Sequence, residues 1–170
     1  MLIIVCGLPG SGKSSLSGSL KNKIPAVHLN SDVIRKLIFR TPQYTEEEKR
    51  RVYNEMALQA EKLLRSRKNV IVDATFYTKE YRDMFINQAK ICNTRYYLIE
   101  CTLSESMIRN RLKKRMEDGI AVSDADYDIY LKMKDRFEPI EGDHLVVDCS
   151  RPRKELMEEI RRFINEKRTG

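Results

Sequence analysis

The sequence predicts an α/β protein built on a five-stranded parallel sheet with helices on both faces. Two observations carry that prediction. Short apolar runs alternate along the chain with amphipathic helical segments, the pattern of βαβ units. The first apolar run, Leu2-Ile3-Ile4-Val5-Cys6, leads straight into a glycine-rich turn and then a helix former. The 170 residues, 41% of them hydrophobic, suffice for the core of one domain spanning 1–170.

Taken in order, strands are expected at Leu2–Cys6, Ala26–Leu29, Asn69–Asp73, Arg95–Cys101 and His144–Asp148. Helices are expected over Lys13–Lys21, Ser31–Phe39, Thr45–Arg67, Lys79–Cys92, Ser104–Glu117, Asp124–Phe137 and Lys154–Lys167. Thr45-Glu46-Glu47-Glu48 has the form of a capping box with an acidic first turn. Val52, Met56, Ala60, Leu63 and Leu64 then supply an apolar stripe at helical spacing. Ser123-Asp124-Ala125-Asp126 is suited to cap the sixth helix in the same manner. Repeats, linkers and low-complexity tracts are missing, and Arg168-Thr169-Gly170 reads as a frayed tail.

The turn after the first strand, Gly7-Leu8-Pro9-Gly10-Ser11-Gly12-Lys13-Ser14, fits G-x-x-x-x-G-K-[ST]. Its glycines let the chain fold back so that successive backbone N–H groups face one concavity. The N-terminus of the next helix adds partial positive charge there. The motif therefore predicts binding of a nucleoside triphosphate through residues 7–15: Gly7, Pro9, Gly10, Ser11, Gly12, Lys13, Ser14 and Ser15. Lys13 has the reach for the outer phosphates, and the Ser14 hydroxyl is placed to ligate Mg²⁺. The pattern N-K-x-D that reads guanine is absent, which favours ATP.

Two strand ends offer acids on the same edge. In an open parallel sheet, ligands gather outside the carboxyl ends of the strands. Asp32, in Asn30-Ser31-Asp32-Val33-Ile34-Arg35, is thereby set to take a proton from a hydroxyl attacking the γ-phosphate. Arg35, one turn on, is a candidate to hold the acceptor. The competing structural account makes Asp32 a first-turn acid beside a Ser31 cap, with Arg35 its i,i+3 partner. Asp73, ending Val70-Ile71-Val72-Asp73-Ala74-Thr75, is a candidate to hold Mg²⁺ through water, and Thr75 to bond the acceptor. Arg82 is a further acceptor-site candidate.

Gly-x-Pro-Gly-Ser-Gly-Lys-Ser, Asn-x-Asp-x-x-Arg and Val-x-Asp-x-Thr together resemble the small P-loop kinases around the polynucleotide 5′-hydroxyl kinases. Zeta-toxin-like kinases and archaeal seryl-tRNA kinases have a similar layout, and the resemblance spans roughly residues 2–150. It implies the three-layer P-loop NTPase fold with a helical lid. It also implies ATP and Mg²⁺ as cofactors, the matching Asp32 as general base, and the matching Arg35 as an acceptor contact. Arg111 and Arg115 form R-x-x-x-R on a basic helix that resembles the lid of nucleoside monophosphate and seryl-tRNA kinases. That likeness implies a lid around 109–126 whose arginines stabilise charge on the transferring phosphoryl group. Ile108, Leu112 and Met116 are expected to be the buried stripe of that helix, with 117–122 as its tip. After the last strand, the resemblance places Arg151 beside the adenine, where it would stack.

Composition narrows the acceptor less. The formal charge of +7, from 32 Lys and Arg against 25 Asp and Glu, favours a polyanionic partner. A charged fraction of 34% also suits a merely solvated surface. No dedicated nucleic-acid domain or aromatic RNA-binding sheet is visible, although Tyr44 and Tyr77 fall near cleft loops. The acceptor classes are a nucleic-acid 5′-hydroxyl or tRNA-linked group, or a small metabolite such as a sugar, nucleoside or antibiotic. A regulatory module that binds ATP and transfers nothing is the alternative outside catalysis. Cys6, Cys92, Cys101 and Cys149 have no C-x-x-C spacing, and His28 and His144 are isolated, which argues for free thiols rather than a metal site. No segment reaches membrane-span length, and the N-terminal run is too short for a signal peptide; the expected location is cytoplasmic.

Overall fold

In the computed structural model, which describes residues 1–118 and 125–169, five strands and seven helices alternate as expected. The strands are β1 (Leu2–Cys6), β2 (Ala26–Asn30), β3 (Asn69–Asp73), β4 (Tyr96–Thr102) and β5 (Leu145–Asp148). The helices are α1 (Lys13–Lys23), α2 (Ser31–Ile38), α3 (Glu46–Arg65), α4 (Lys79–Ile91), α5 (Glu105–Asp118), α6 (Tyr127–Arg136) and α7 (Arg153–Thr169). All pairings are parallel, in the order β2-β3-β1-β4-β5, so β1 is central and carries its following turn to the middle of the sheet edge.

Alternation along the central strands divides the core. Leu2, Ile4, Cys6, Val70 and Val72 face the helices α3 and α4, packing with Val52, Met56, Ala60 and Phe85. Ile3, Val5, Ile71 and Ile99 face the opposite side, against Leu16 and Leu20 of α1 and Leu156, Ile160 and Ile164 of α7. Every residue of β1 is buried, as a strand covered by helices on both faces must be. A third, smaller cluster of Ile108, Leu112 and Tyr130 packs on Leu8 and joins α5 and α6 to the turn after β1.

The caps refine the expected boundaries. Thr45 does cap α3, accepting from the Glu48 N–H at 3.2 Å. The Glu48 carboxylate does not complete a capping box, because it turns back to accept from the Gln43 and Tyr44 N–H groups at 3.0 and 2.6 Å. The α2 cap is Asn30 rather than Ser31. Asp126 caps α6 through the Ile129 N–H at 2.8 Å; Ser123, Asp124 and most of the expected lid tip lie outside the described residues. Met116 is 69% exposed, so the buried stripe of α5 ends at Leu112, where contact with the sheet-edge cluster ends. All four cysteines are free thiols, three of them buried. Among the described residues, no helix is long and apolar enough to cross a membrane.

Candidate active site

The carboxyl ends of β1, β2 and β3 open on one cleft. The turn after β1 forms its floor. Gly7, Gly10 and Gly12 all have positive φ, at 137, 81 and 105°, which side-chain-bearing residues adopt only with strain. Close approach explains two of them further. A Cβ on Gly7 would sit 2.3 Å from the Cys101 carbonyl oxygen of β4, and one on Gly10 would meet Ile108 and Leu112 of α5 at 3.0 and 3.2 Å. Gly12 is the N-cap of α1 and supplies no side-chain cap, and the first turn carries no acid. The helix N-terminus is therefore left to an external anion. Lys13 Nζ, lining the cleft, donates to the Leu8 carbonyl at 2.9 Å, which bends the lysine over the loop.

Ser14, Asn30 and Asp73 meet on one wall. Asn30 Nδ2 donates to Asp73 Oδ2 at 2.8 Å and to Ser14 Oγ at 3.3 Å. His28 Nε2 lies 3.3 Å from the same Asp73 oxygen. Asp73 is 1% exposed, and its Oδ1 is buried without a hydrogen-bond partner. A buried carboxylate oxygen left over beside a serine hydroxyl suits the hydrated shell of Mg²⁺, a hard ion that takes few protein ligands beside phosphate. Ser14 and Asp73 thus fit the ion. Among the described residues, no group of three or more His, Cys, Asp or Glu offers a protein-only metal cage.

Asp32 lines the cleft from the start of α2, and Lys13 and Thr75 line it as well. Arg35 lines it too, but its guanidinium is already engaged. Arg35 is 5% exposed, its Nη1 lies 3.5 Å from Glu48 Oε2, and its guanidinium carbon sits 4.8 Å from the Tyr44 ring centre. Arg35 Nη1 is thus paired with Glu48 while the residue still lines the cleft. Tyr44 has φ 57°, held there as both its N–H and that of Gln43 donate to Glu48. A second glutamate organises the rim: Glu46 accepts from Lys49, Arg136 and Tyr77 at 2.9, 2.8 and 2.8 Å. Partial burial works against the charged form, yet those three hydrogen bonds hold the Glu46 carboxyl down at about 2.

Arg115 joins the cleft lining from α5. Arg111 stands behind the loop: its Nη2 donates to the Cys149 carbonyl at 3.4 Å, and its Nη1 would be 3.2 Å from a Cβ on Gly12. Two expected residues are elsewhere. Arg82 is 3% exposed and spends its guanidinium on the Phe76 and Pro139 carbonyls at 2.9 and 3.1 Å, bracing the turn after β3 instead of contacting an acceptor. Arg151 turns along α7 to Glu159 and Glu155, at 2.6 and 3.5 Å, and so does not reach the cleft. The residue that sequence reasoning missed there is Arg153, whose Nη2 donates to Ser15 Oγ at 2.8 Å. Only tertiary packing could reveal it, since 138 residues separate the pair. Beneath the loop, the Cys101 thiol donates toward Cys149, and with Arg153 and Arg111 nearby this lowers the Cys149 thiol despite burial; Cys101 is correspondingly raised.

A family model described as an AAA domain, AAA_33, matches residues 2–140. The chain belongs to the AAA_33 family. The match takes in the phosphate loop, β1 to β4 and the cleft residues Asp32 and Asp73. The L-seryl-tRNA(Sec) kinase of Methanococcus maripaludis is 31% identical over 124 residues, 70% of this chain and 46% of that protein. The chain therefore spans less than half the length of this curated relative. Among solved structures, Chaetomium thermophilum Kti12 in complex with ADP-AlF3 superposes with a TM-score of 0.75 at 18% identity, covering 94% of this chain and 97% of that one. Mycobacterium tuberculosis APS kinase in complex with AMPPNP and APS gives 0.70 at 16%, covering 96% of both chains. At such identities the likeness to these two structures is one of fold.

Proposed function

We propose that this protein transfers the γ-phosphate of ATP to a hydroxyl acceptor, assisted by Mg²⁺. One observation carries the reading: a carboxylate, Asp32, lines the same cleft as Lys13, Ser14 and Asp73. A cleft that only held nucleotide would need no acid facing the acceptor side.

The residues then take these roles. The loop amides, the α1 N-terminus and Lys13 hold the β- and γ-phosphates, leaving the terminal phosphorus exposed toward Asp32. Asp32 accepts the acceptor hydroxyl proton as oxygen attacks phosphorus, and ADP leaves. Thr75 bonds the acceptor. Arg115 from the proposed α5 lid stabilises charge spreading over the transferring oxygens, with Arg111 tying α5 to the turn after β5. Ser14 and Asp73 would hold Mg²⁺, which neutralises charge on the phosphate oxygens. A cytoplasmic location accords with the free thiols.

For the acceptor, the first reading is a nucleic-acid 5′-hydroxyl or tRNA-linked group, supported by the +7 charge and the likeness to a seryl-tRNA kinase. A small hydroxylated metabolite is the second, favoured by the pairing of Arg35 with Glu48, which neutralises the cleft wall beside Asp32. Labelled γ-phosphate supplied as ATP with Mg²⁺, against one pool of 5′-hydroxyl oligonucleotides and tRNA and one of small metabolites, tests both. Label in either pool is the expected result and selects the acceptor class. Slow phosphate release with neither pool labelled would overturn transfer in favour of a regulatory ATPase.

A further inference from the structure

We infer that Asn30 is the positioning residue of this site, its single amide fixing Ser14, Asp73 and the start of the Asp32 helix relative to one another. The inference rests on the reading of the cleft as a Mg²⁺-nucleotide site. An amide side chain offers two N–H donors and a carbonyl oxygen with two lone pairs. Asn30 spends all four. Its Nδ2 donates to Asp73 Oδ2 at 2.8 Å and to Ser14 Oγ at 3.3 Å. Its Oδ1 accepts the Asp32 and Val33 N–H groups, both at 3.0 Å. The orientation is forced, because a flipped amide would set oxygen against the Asp73 carboxylate and N–H against two backbone donors.

Sheet register makes this reach possible. Asn30 ends β2 directly beside Asp73, the last residue of β3, as a Cα pair of the parallel ladder. Asn30 thereby joins Ser14 of the P-loop helix, the acid that ends β3 and the start of the helix that carries Asp32. With His28 also on Asp73 Oδ2, the bonds leave Oδ1 as the oxygen available to a metal shell. The amide does both jobs with one group. Serine still caps α2 through its hydroxyl oxygen, but it carries a single O–H on a shorter side chain and so cannot serve Asp73 and Ser14 together while capping.

That difference separates positioning from folding. The test compares affinity for a fluorescent ATP analogue in Mg²⁺ and in EDTA, with thermal melting alongside, for the intact chain and for Asn30→Ser. Asn30→Ser is expected to melt cooperatively and to bind nucleotide in EDTA as the parent does. Its Mg²⁺-dependent gain in affinity is expected to fall about 10- to 100-fold, the usual effect of removing an outer-shell partner. If Asn30→Ser does not fold, Asn30→Thr, which keeps a capping hydroxyl and again lacks the two amide donors, is expected to show the same loss. Combining either with Asp73→Asn is expected to add little to Asp73→Asn alone, since the amide acts through that carboxylate. An unchanged Mg²⁺ gain in the variants, or full additivity with Asp73→Asn, would overturn the role. The readout needs no acceptor. A chain that binds Mg²⁺-ATP and labels no acceptor would therefore refute transfer while leaving Asn30 in place, and the converse result would do the opposite.

Discussion

Arg35 and Glu48 are buried partners, their Nη1 and Oε2 atoms 3.5 Å apart across 13 residues of sequence. The pair pins α2 to α3, and the same carboxylate gathers the Gln43 and Tyr44 N–H groups. Removing one partner of a buried pair leaves an uncompensated charge. Glu48→Ala is expected to destabilise the fold by about 3–5 kcal/mol. Urea midpoints would show this, and a loss below about 1 kcal/mol, the scale of an exposed pair, would mean that the pair is solvent-like.

Glycine substitutions in and beyond the loop should diverge in sign. Gly7→Ala puts a methyl 2.3 Å from the Cys101 carbonyl at φ 137°. The conformational cost alone is about 1–2 kcal/mol, and the clash forces the loop away from β4. Lost nucleotide binding and a lower melting temperature are expected together. Gly18, inside α1, has nothing within 4 Å of a built Cβ. Gly18→Ala should raise stability by about 0.5–1 kcal/mol, measured by the same melts.

Transfer should depend on Asp32 far more than binding does. Asp32→Asn keeps the shape of the side chain and removes the proton acceptor. Its transfer rate is expected to fall about 10²- to 10⁴-fold at unchanged ATP affinity. Steady-state turnover with the acceptor that the labelling assay selects, and calorimetry with ATP, supply the two numbers. Normal turnover would remove Asp32 as the base.

Arg115 and Arg111 should separate kinetically. Arg115 lines the cleft, whereas Arg111 is tied to the Cys149 carbonyl. Arg115→Ala is expected to cut kcat by about 10³-fold or more with little change in KM for ATP, the behaviour of an arginine acting on transition-state charge. Arg111→Ala should instead weaken nucleotide binding and loosen the loop. An Arg115→Ala variant altered only in KM would assign it to ground-state binding.

Acid should loosen the rim through Glu46. Its pKa falls from an ordinary 4.5 to about 2 in the folded chain, so the folded state favours the charged form. The resulting stability is fully present above about 4.5 and is lost as the pH drops toward 2. Because Glu46 is largely exposed, the contribution is modest and screened by salt. A Glu46→Gln variant should therefore show a shallower loss of stability over that interval than the parent. Identical slopes would contradict the assignment.

The motif at Gly7–Ser14 and the acids Asp32 and Asp73 were legible because each is a local matter. Backbone freedom at glycine, and an acid at the end of an apolar strand, declare themselves within a few residues. Met116 shows where periodicity stops informing: the helical spacing continues, but the packed neighbours end at Leu112. For the arginines, spacing was a poorer guide. A guanidinium is long and bonds to whichever acceptors the fold supplies, and those were Glu48 for Arg35, two carbonyls for Arg82 and α7 glutamates for Arg151.

By itself, the sequence determined the strand–helix alternation, the phosphate loop and the acids at the ends of β2 and β3, because hydrophobic period and turn chemistry are written in consecutive residues. Only the tertiary structure decided the strand order β2-β3-β1-β4-β5, which sets Asn30 beside Asp73 and Arg153 beside Ser15. Those pairings join residues 43 and 138 positions apart, and no local propensity reaches that far. The physical reason is that partners for buried charge and for the last polar atoms of a site are chosen by packing, once the core has fixed which strands lie side by side.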